Sequence, residues 1–140
     1  MAQSFKSNHN SVYACRYHVV WCPKYRRKVL TGEIAERLKV LVQELAAESE
    51  SEVLEIEVMP DHIHLLVEVP PHYGIAKFVR MCKGRSSRVL REEFPALKTR
   101  LLTLWTHSTF ISTVGGAPLS LVKQYIQNQQ RSEPRPKKNA

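Results

Sequence analysis

The strongest constraint on the fold is a pair of alternating segments joined by a two-residue turn. Residues 52–59 alternate between apolar and charged side chains, and residues 62–69 alternate in the same way. Pro60-Asp61 between them is typical of a tight turn. Alternation with a period of two predicts strands, so the two segments form an antiparallel hairpin. One side of the second strand is wholly apolar, and the other side carries His62, His64, Leu66 and Glu68.

The remaining elements follow from hydrophobic spacing. Apolar residues at intervals of three and four predict helices over residues 33–48, 74–94 and 118–130. Strands are predicted over residues 11–22 and over residues 101–114, the latter broken near Thr106-His107.

This order, β-α-β-β-α-β-α, predicts an α+β fold with an antiparallel sheet and helices on one face. The arrangement is split βαβ, ferredoxin-like or RRM-like, followed by a C-terminal helix. We expect one domain over residues 1–131 and a basic, mobile tail over residues 132–140.

An excess of positive charge narrows the choice of partner. The net charge is +8, of which residues 131–140 contribute +3, so the body of the chain is basic as well. Such a charge favours nucleic acid or an acidic membrane surface. The helices mix charges of both signs on their polar faces, which argues against a membrane. No apolar run reaches about 20 residues, and the start lacks a signal peptide's apolar segment, so we expect a soluble intracellular protein.

Two histidines on one strand are candidates for metal binding. His62 and His64 are two residues apart, so both imidazoles project from the same face of a strand. Neutral imidazole suits Zn, Mn, Fe or Ni, and less naturally Mg. Glu55, Glu57 and Asp61 are possible further ligands or partners. The alternative is a pair of histidines on a polar strand face with no metal.

Tyr125 is the candidate nucleophile. It lies on the last predicted helix with Gln129 one turn later, so the two share a face. A phenolate can attack a phosphodiester, although a phenol needs a nearby metal or charge for activation. The alternative is a tyrosine at the edge of the apolar stripe of this helix. Gln129 lies beside that stripe, where an apolar residue is expected.

Two basic clusters are candidates for DNA contacts. The first is a turn in which cations surround an aromatic ring, suited to holding phosphates and stacking a base: Lys24, Tyr25, Arg26, Arg27 and Lys28. The second lies on a helix around Gly84 and consists of Lys83, Arg85 and Arg88. The alternative for each cluster is a solvated charged face.

Several segments, in order, resemble one family. The chain resembles the single-tyrosine HUH transposases of the smallest bacterial insertion sequences, the IS-two-hundred and IS-six-oh-five type. The resemblance covers nearly the whole chain. The matching segments are residues 17–26, 59–66 and 83–87, Leu104-Trp105 with residues 113–115, and Tyr125-Ile126 with Gln129.

The resemblance implies roles for individual residues. His62 and His64 would bind a divalent metal, Mg or Mn, Gln129 would complete the site, and Tyr125 would form a 5′-phosphotyrosine. Family members are homodimers in which the tyrosine helix of one subunit can serve the histidine pair of the other. They act on single-stranded DNA and recognise hairpins near the element's ends. The resemblance therefore also implies a cytoplasmic, nucleoid-associated protein of a bacterium or archaeon. One departure is visible: the family usually has Ser-Tyr after the tryptophan, and this chain has residues 108–110, Ser-Thr-Phe.

Two other functions remain open from the sequence. A non-catalytic single-stranded nucleic-acid-binding domain of the same fold would need the basic residues but neither the histidine pair nor Tyr125. A metal-dependent phosphoesterase that uses water would cut DNA without Tyr125. A covalent adduct with DNA separates the transposase from both.

Overall fold

The fold is described by a computed structural model that covers residues 5–7, 12–114 and 119–131, with the backbone alone for residues 100, 119–122 and 130–131. The strands are β1 (Lys6–Ser7), β2 (Val12–Tyr13), β3 (Arg16–Trp21), β4 (Glu52–Met59), β5 (His62–Glu68) and β6 (Phe110–Thr113). The helices are α1 (Gly32–Glu48), α2 (Ile75–Glu93), α3 (Ala96–Arg100) and α4 (Leu119–Arg131).

A four-stranded antiparallel sheet organises the molecule, with the strand order β4-β5-β3-β6. The β1 and β2 strands form a separate two-stranded ribbon. The predicted α+β class and the predicted hairpin of residues 52–59 and 62–69 are confirmed. Because β4 and β6 are the edge strands, β5 lies inside the sheet. The histidines of β5 therefore have β4 on one side and β3 on the other.

The apolar side of β5 forms the centre of the core. Ile63, Leu65 and Val67 are fully buried, and they belong to the same cluster as Leu38 of α1 and Phe78 of α2. Burying each such side chain stabilises the fold by about 1.5–3 kcal/mol. The histidine side of β5 therefore faces away from α1 and α2, as the alternation predicts.

The first predicted strand is interrupted where a side chain replaces a backbone partner. Residues 11–22 were expected to form one strand, but the described part contains β2 and β3 separated by Ala14 and Cys15. The backbone N–H of Cys15 donates to Oε2 of Glu68 at 3.0 Å. Glu68 is 2% exposed and also accepts from Nε of Arg16 at 3.2 Å.

The prediction of a strand region over residues 101–114 is largely wrong. Only β6 forms there, preceded by an isolated bridge between Trp105 and Pro23, and α3 was not predicted at all. Side chains of α2 hold this segment instead of a neighbouring strand. Ser86 accepts from Nε1 of Trp105 at 3.0 Å, and Lys83 donates to the carbonyl of Thr106 at 2.8 Å.

The predicted tail of residues 132–140 lies outside the described residues, and so do residues 11 and 118, with which the first predicted strand and the last predicted helix begin. Among the described residues, no helix is long and apolar enough to cross a membrane. Thr31 immediately precedes α1, and its side chain makes no capping hydrogen bond.

Candidate active site

The turn between β4 and β5 orients the first histidine. Nδ1 of His62 lies 2.8 Å from Oδ1 of Asp61, and Oδ2 of Asp61 accepts from Nε of Arg26 at 2.6 Å. Burial would raise the pKa of Asp61, but the hydrogen bond from His62 and the charge of Arg26 outweigh it and lower this pKa. Asp61 therefore stays ionised and holds the proton of His62 on Nδ1, which leaves the lone pair on Nε2 available to a metal.

The second histidine pairs with a third imidazole that the sequence did not single out. Nε2 of His64 lies 3.3 Å from Nδ1 of His18, and the two rings stack with centroids 5.4 Å apart. Burial is the main cause that lowers the pKa of His64; the proximity of His18 adds to it, whereas Glu57 and Glu55 act in the opposite direction. His64 is therefore neutral at pH 7, the form in which imidazole binds metals.

His18 could not be identified from the sequence because its position depends on strand register. It lies on β3 opposite Leu66, while Val20 lies opposite His64, so His18 is a diagonal neighbour of His64 on the same face of the sheet. The only signal in the sequence was that His18 lies within a segment that resembles the family. That signal did not show which residue His18 contacts, because the pairing of β3 with β5 was unknown.

One hydroxyl connects Tyr125 and Gln129. Oγ of Ser108 lies 3.0 Å from the Tyr125 hydroxyl and donates to Oε1 of Gln129 at 3.1 Å. Because the serine has one proton, and that proton goes to Gln129, the Tyr125 hydroxyl donates to Ser108. The ring of Tyr125 also contacts Phe110, with centroids 5.5 Å apart. The residues that depart from the family pattern thus lie directly against the candidate nucleophile.

The tyrosine helix lies on the histidine side of the sheet. Phe110 of β6 pairs with Val20 of β3, and Val20 pairs with His64 of β5. Paired residues project from the same face, so Phe110 lies two strand spacings, about 10 Å, from His64. Tyr125 packs on Phe110, and Val20 beneath is fully buried although it lies outside the main core.

Arg26 fastens this helix to the turn that carries His62. Its Nη1 donates to the carbonyl of Ile126 at 2.9 Å, and its Nε binds Asp61. Tyr25 and Arg26 both have left-handed backbone angles, with φ of 59° and 53°. Such angles cost about 1–3 kcal/mol per residue and persist where surrounding contacts hold them. Arg26, which was predicted to contact DNA, therefore has a positioning role within the site.

The other residues of the basic turn remain accessible. Lys24 and Arg27 lie 5.5 and 5.9 Å from the centre of the Tyr25 ring, and Arg27 and Lys28 are exposed. Contact of these residues with DNA stays a prediction.

The second basic cluster does not form one surface. Lys83 points to the segment before β6 and donates to backbone oxygens there. Arg85 makes two hydrogen bonds, of 2.7 and 2.8 Å, to Glu48 of α1. Arg88 is exposed, with Glu92 at 3.8 Å. Of the three predicted cations, Arg88 alone projects outward without a short ion pair among the described residues.

A metal at the histidine pair requires a donor of another kind. Within the described ranges, no three side chains of His, Cys, Asp or Glu converge on one point. His62 and His64 supply two imidazoles on one face, and Gln129 is 9% exposed with a carbonyl-type oxygen directed at Ser108. The donor set of two imidazoles and an amide oxygen is compatible with a divalent cation.

Comparison with known proteins gives one consistent answer. Residues 11–129 match the family described as "Transposase IS200 like". The ISDra2 transposase TnpA of Deinococcus radiodurans is 40% identical over 130 residues, covering 91% of this chain and 93% of that protein. The transposase for insertion sequence element IS200 of Salmonella typhimurium is 33% identical over 126 residues, covering 89% and 82%.

Solved structures agree. A crystal structure of a Deinococcus radiodurans R1 protein, described as a candidate transposase, has a TM-score of 0.81 and 37% identity, covering 89% of this chain and 97% of that chain. A REP-associated tyrosine transposase bound to a REP hairpin has a TM-score of 0.57 at 11% identity, covering 86% and 67%, and shows a shared fold alone. Sequence and fold together establish that this chain belongs to the IS200-like transposases, enzymes that cut and rejoin DNA.

Proposed function

We propose that the protein cuts single-stranded DNA at the ends of an insertion sequence through a 5′-phosphotyrosine on Tyr125, assisted by a divalent metal. The observation that carries the proposal is the link made by Arg26, which binds Asp61 beside His62 and the backbone of α4 beside Tyr125. This link brings the candidate nucleophile and the candidate metal ligands to one side of the sheet.

The covalent step replaces one phosphorus–oxygen ester bond by another. The Tyr125 oxygen forms a bond to phosphorus while the bond from phosphorus to the 3′ oxygen breaks. The phenol gives up its proton, and the departing 3′ oxygen takes one up, so the products are a 5′-phosphotyrosine and a free 3′-OH. A later 3′-OH can reverse the step without ATP, because the phosphotyrosine keeps the bond energy.

The residues of the chain divide this work. His62, His64 and Gln129 would hold the metal, Mg or Mn, which as a Lewis acid would stabilise charge on the scissile phosphate. Asp61 fixes the tautomer of His62 through the 2.8 Å contact. Oγ of Ser108 accepts a hydrogen bond from the Tyr125 hydroxyl and donates one to Oε1 of Gln129. Ser108 therefore fixes the positions of both side chains before DNA binds.

The active form is proposed to be a homodimer. Each chain has one candidate nucleophile, whereas joining two DNA ends requires two. The REP-associated transposase, which shares the fold, was solved with a DNA hairpin, which supports hairpin ends as the partner here as well.

The proposal is tested by comparing covalent adduct formation by the parent protein, by Tyr125→Phe and by a matched control variant. Both strands of the DNA that flanks the protein's own gene are labelled, incubated with Mg or Mn, and analysed on a denaturing gel. The parent should form a covalent adduct, and peptide mapping should place the nucleotide on Tyr125. Tyr125→Phe should form none, and Tyr73→Phe, a change of the same size two residues before α2, should behave like the parent.

Three outcomes would contradict the proposal. Cutting that survives in Tyr125→Phe would indicate a phosphoesterase that uses water. Binding without cutting by the parent would indicate a regulatory DNA-binding domain. A nucleotide on another residue would mean that the nucleophile is misassigned. The change removes one oxygen, so the stability should fall by no more than about 1 kcal/mol, and unfolding curves would show whether misfolding explains a loss.

A further inference from the structure

We propose that a groove between α2 and α3 binds the sugar–phosphate backbone of DNA, on the opposite side of the sheet from the candidate active site. The proposal rests on the family's action on DNA but not on the chemistry of Tyr125. The groove has a volume of about 490 Å³. Its lining residues are Gly84, Ser87, Arg88, Arg91, Glu92 and Lys98.

The helical repeat brings these residues together. Positions 84, 87, 88 and 91 follow the i, i+3, i+4, i+7 pattern and therefore share one face of α2. The turn at Phe94 and Pro95 then reverses the chain, and α3 places Lys98 across the groove from that face. Lys98 lies outside the basic cluster predicted from the sequence because α3 was not predicted, whereas Arg91 lies on the predicted helix but was not counted in that cluster.

The charge in the groove is largely uncompensated. Glu92 is the one carboxylate among the described residues that line the groove, and it lies 3.8 Å from Arg88 with both side chains about 60% exposed, which makes the pair weak. Arg91 and Lys98 make no ion pair with any described residue. Three cations with one weakly paired carboxylate favour a ligand with several negative charges.

Arg91 supplies a further sign of an anionic ligand. Its Nε is buried and has no hydrogen-bond acceptor among the described residues. A buried donor of a charged group without an acceptor is destabilising, whereas a phosphate oxygen is a strong acceptor for guanidinium. Because Nε has almost no accessible surface, a phosphate in the groove could reach it only after the Arg91 side chain turns toward the groove, and that rearrangement would give Nε the acceptor that the described part of the chain does not provide.

The floor of the groove allows close approach. Gly84 lies in the interior of α2, where glycine costs about 1 kcal/mol relative to alanine, and a Cβ at this position would meet no atom within 4 Å. A second cavity of about 580 Å³ shares Gly84 and Ser87 and continues along α2 past Arg80 to Ala76. The wall of this second cavity includes apolar side chains such as Val79, Leu104 and Ile111, so the charged part of the groove on α2 is residues 84–91. These residues span about 10 Å at 1.5 Å per residue, which is enough for two phosphates of one strand.

The cations of α2 do not all point into the groove, which distinguishes the groove from a uniformly basic surface. Lys83 and Arg85, which flank Gly84 in sequence, are engaged by the segment before β6 and by Glu48. The outward charge therefore follows one line along α2. A DNA segment in this groove would be a different part of the molecule from the strand at Tyr125.

The first test measures binding as a function of salt concentration. Fluorescence anisotropy with a labelled 20-nucleotide oligothymidylate in EDTA reports binding without cutting. The double variant Arg88→Gln/Lys98→Gln is compared with Arg37→Gln/Lys39→Gln on α1, which removes the same charge elsewhere. Each lost phosphate contact lowers the slope of log K against log salt by about 0.7, so the groove variant should lose about 1.4 in slope and roughly 25-fold in affinity at 0.1 M salt.

The control variant should keep nearly the parental slope. Equal losses in both double variants would show a general charge effect, and a parental slope in the groove variant would show that the groove is not used. Either result overturns the proposal.

The second test changes the shape of the groove without changing its charge. Gly84→Leu projects a side chain into open space at the floor of the groove, and its thermal unfolding midpoint should equal or exceed that of the parent. Binding should weaken at least fivefold; parental affinity would contradict the proposal. Because both tests measure binding in EDTA, their results do not depend on whether Tyr125 forms an adduct. A failure of the Tyr125 experiment would leave them unchanged.

Discussion

Replacing Lys83 by methionine removes the ammonium group that holds residues 106–109 against α2. Nζ of Lys83 donates to the carbonyl of Thr106 at 2.8 Å, to that of Ser108 at 3.1 Å and to Oγ1 of Thr109 at 3.0 Å. Methionine keeps the length and the apolar stem of the side chain, so the packing is largely retained. The carbonyl of His107 is a fourth acceptor at 3.4 Å. Because an ammonium has three protons, the perturbation is the loss of at most three hydrogen bonds, shared among four acceptors, from one charged donor.

The expected loss of stability follows from two opposing contributions. Hydrogen bonds from a charged donor contribute about 1.5–3 kcal/mol each, although three bonds from one group add less than their sum. Burial opposes them and lowers the pKa of Lys83 from its ordinary 10.5 to about 8. Because solvent still reaches the group, this penalty is reduced by screening. We expect Lys83→Met to lower the free energy of unfolding by about 2 kcal/mol at pH 7.

The lowered pKa of Lys83 also predicts how the stability difference between the parent and Lys83→Met changes with pH. Between pH 8 and pH 10.5 the folded protein has released the Lys83 proton while the unfolded chain still binds it. Unfolding then takes up a proton, so the stability of the parent rises with pH in this window relative to Lys83→Met. The slope should stay below the limit of about 1.4 kcal/mol per pH unit, since the group is partly solvated.

The assay is urea unfolding at pH 7, 8 and 9, with Lys39→Met as the control. Lys39 lies on α1 with Glu36 at 3.4 Å, and loss of such a surface pair should change stability by no more than about 0.5 kcal/mol. The reasoning is refuted if Lys83→Met is as stable as the parent at pH 7. It is also refuted if the difference between the two narrows as the pH rises above 8.

Two further predictions concern the candidate site. His62→Ala or His64→Ala should abolish cleavage and leave DNA binding intact, because the phosphate contacts of the basic residues remain; a variant that still cuts would remove that histidine from the site. The protein should have twice the monomer mass in light scattering. Since Arg26 fastens α4 to its own chain, mixing His64→Ala with Tyr125→Phe protomers should leave activity near background. Recovery toward about a quarter of the parental activity, the share of intact sites after random exchange, would show that the helix serves the partner subunit.

The elements with strong periodicity were predictable from sequence. The strands of residues 52–59 and 62–68 have the predicted bounds to within one residue, and the wholly apolar side of β5 fixes its register relative to the core. The alternation of β4 is broken by a register shift between Val53 and Glu55, which leaves Leu54 exposed. The helices α1 and α2 also match within a residue at each end. The direction of His62 and His64 followed from the same alternation, and the shared face of Tyr125 and Gln129 followed from the helical repeat.

The segment between α2 and β6 was not predictable, because its structure depends on partners distant in sequence. Trp105 and Thr106 have the composition of a strand, but their contacts are with Ser86 and Lys83 of α2 rather than with a neighbouring strand. Local propensity cannot report such contacts.

Sequence by itself thus determined the types of element, the faces of β5 and α4, and the candidate residues that those faces carry. Tertiary structure alone decided which other side chains reach them. His18 meets His64 across 46 residues of chain, and Arg26 meets Ile126 across 100. Such contacts are set by strand register and by the docking of α4 on the sheet. A single sequence does not encode either in a local pattern, because both arise from the packing of the whole chain.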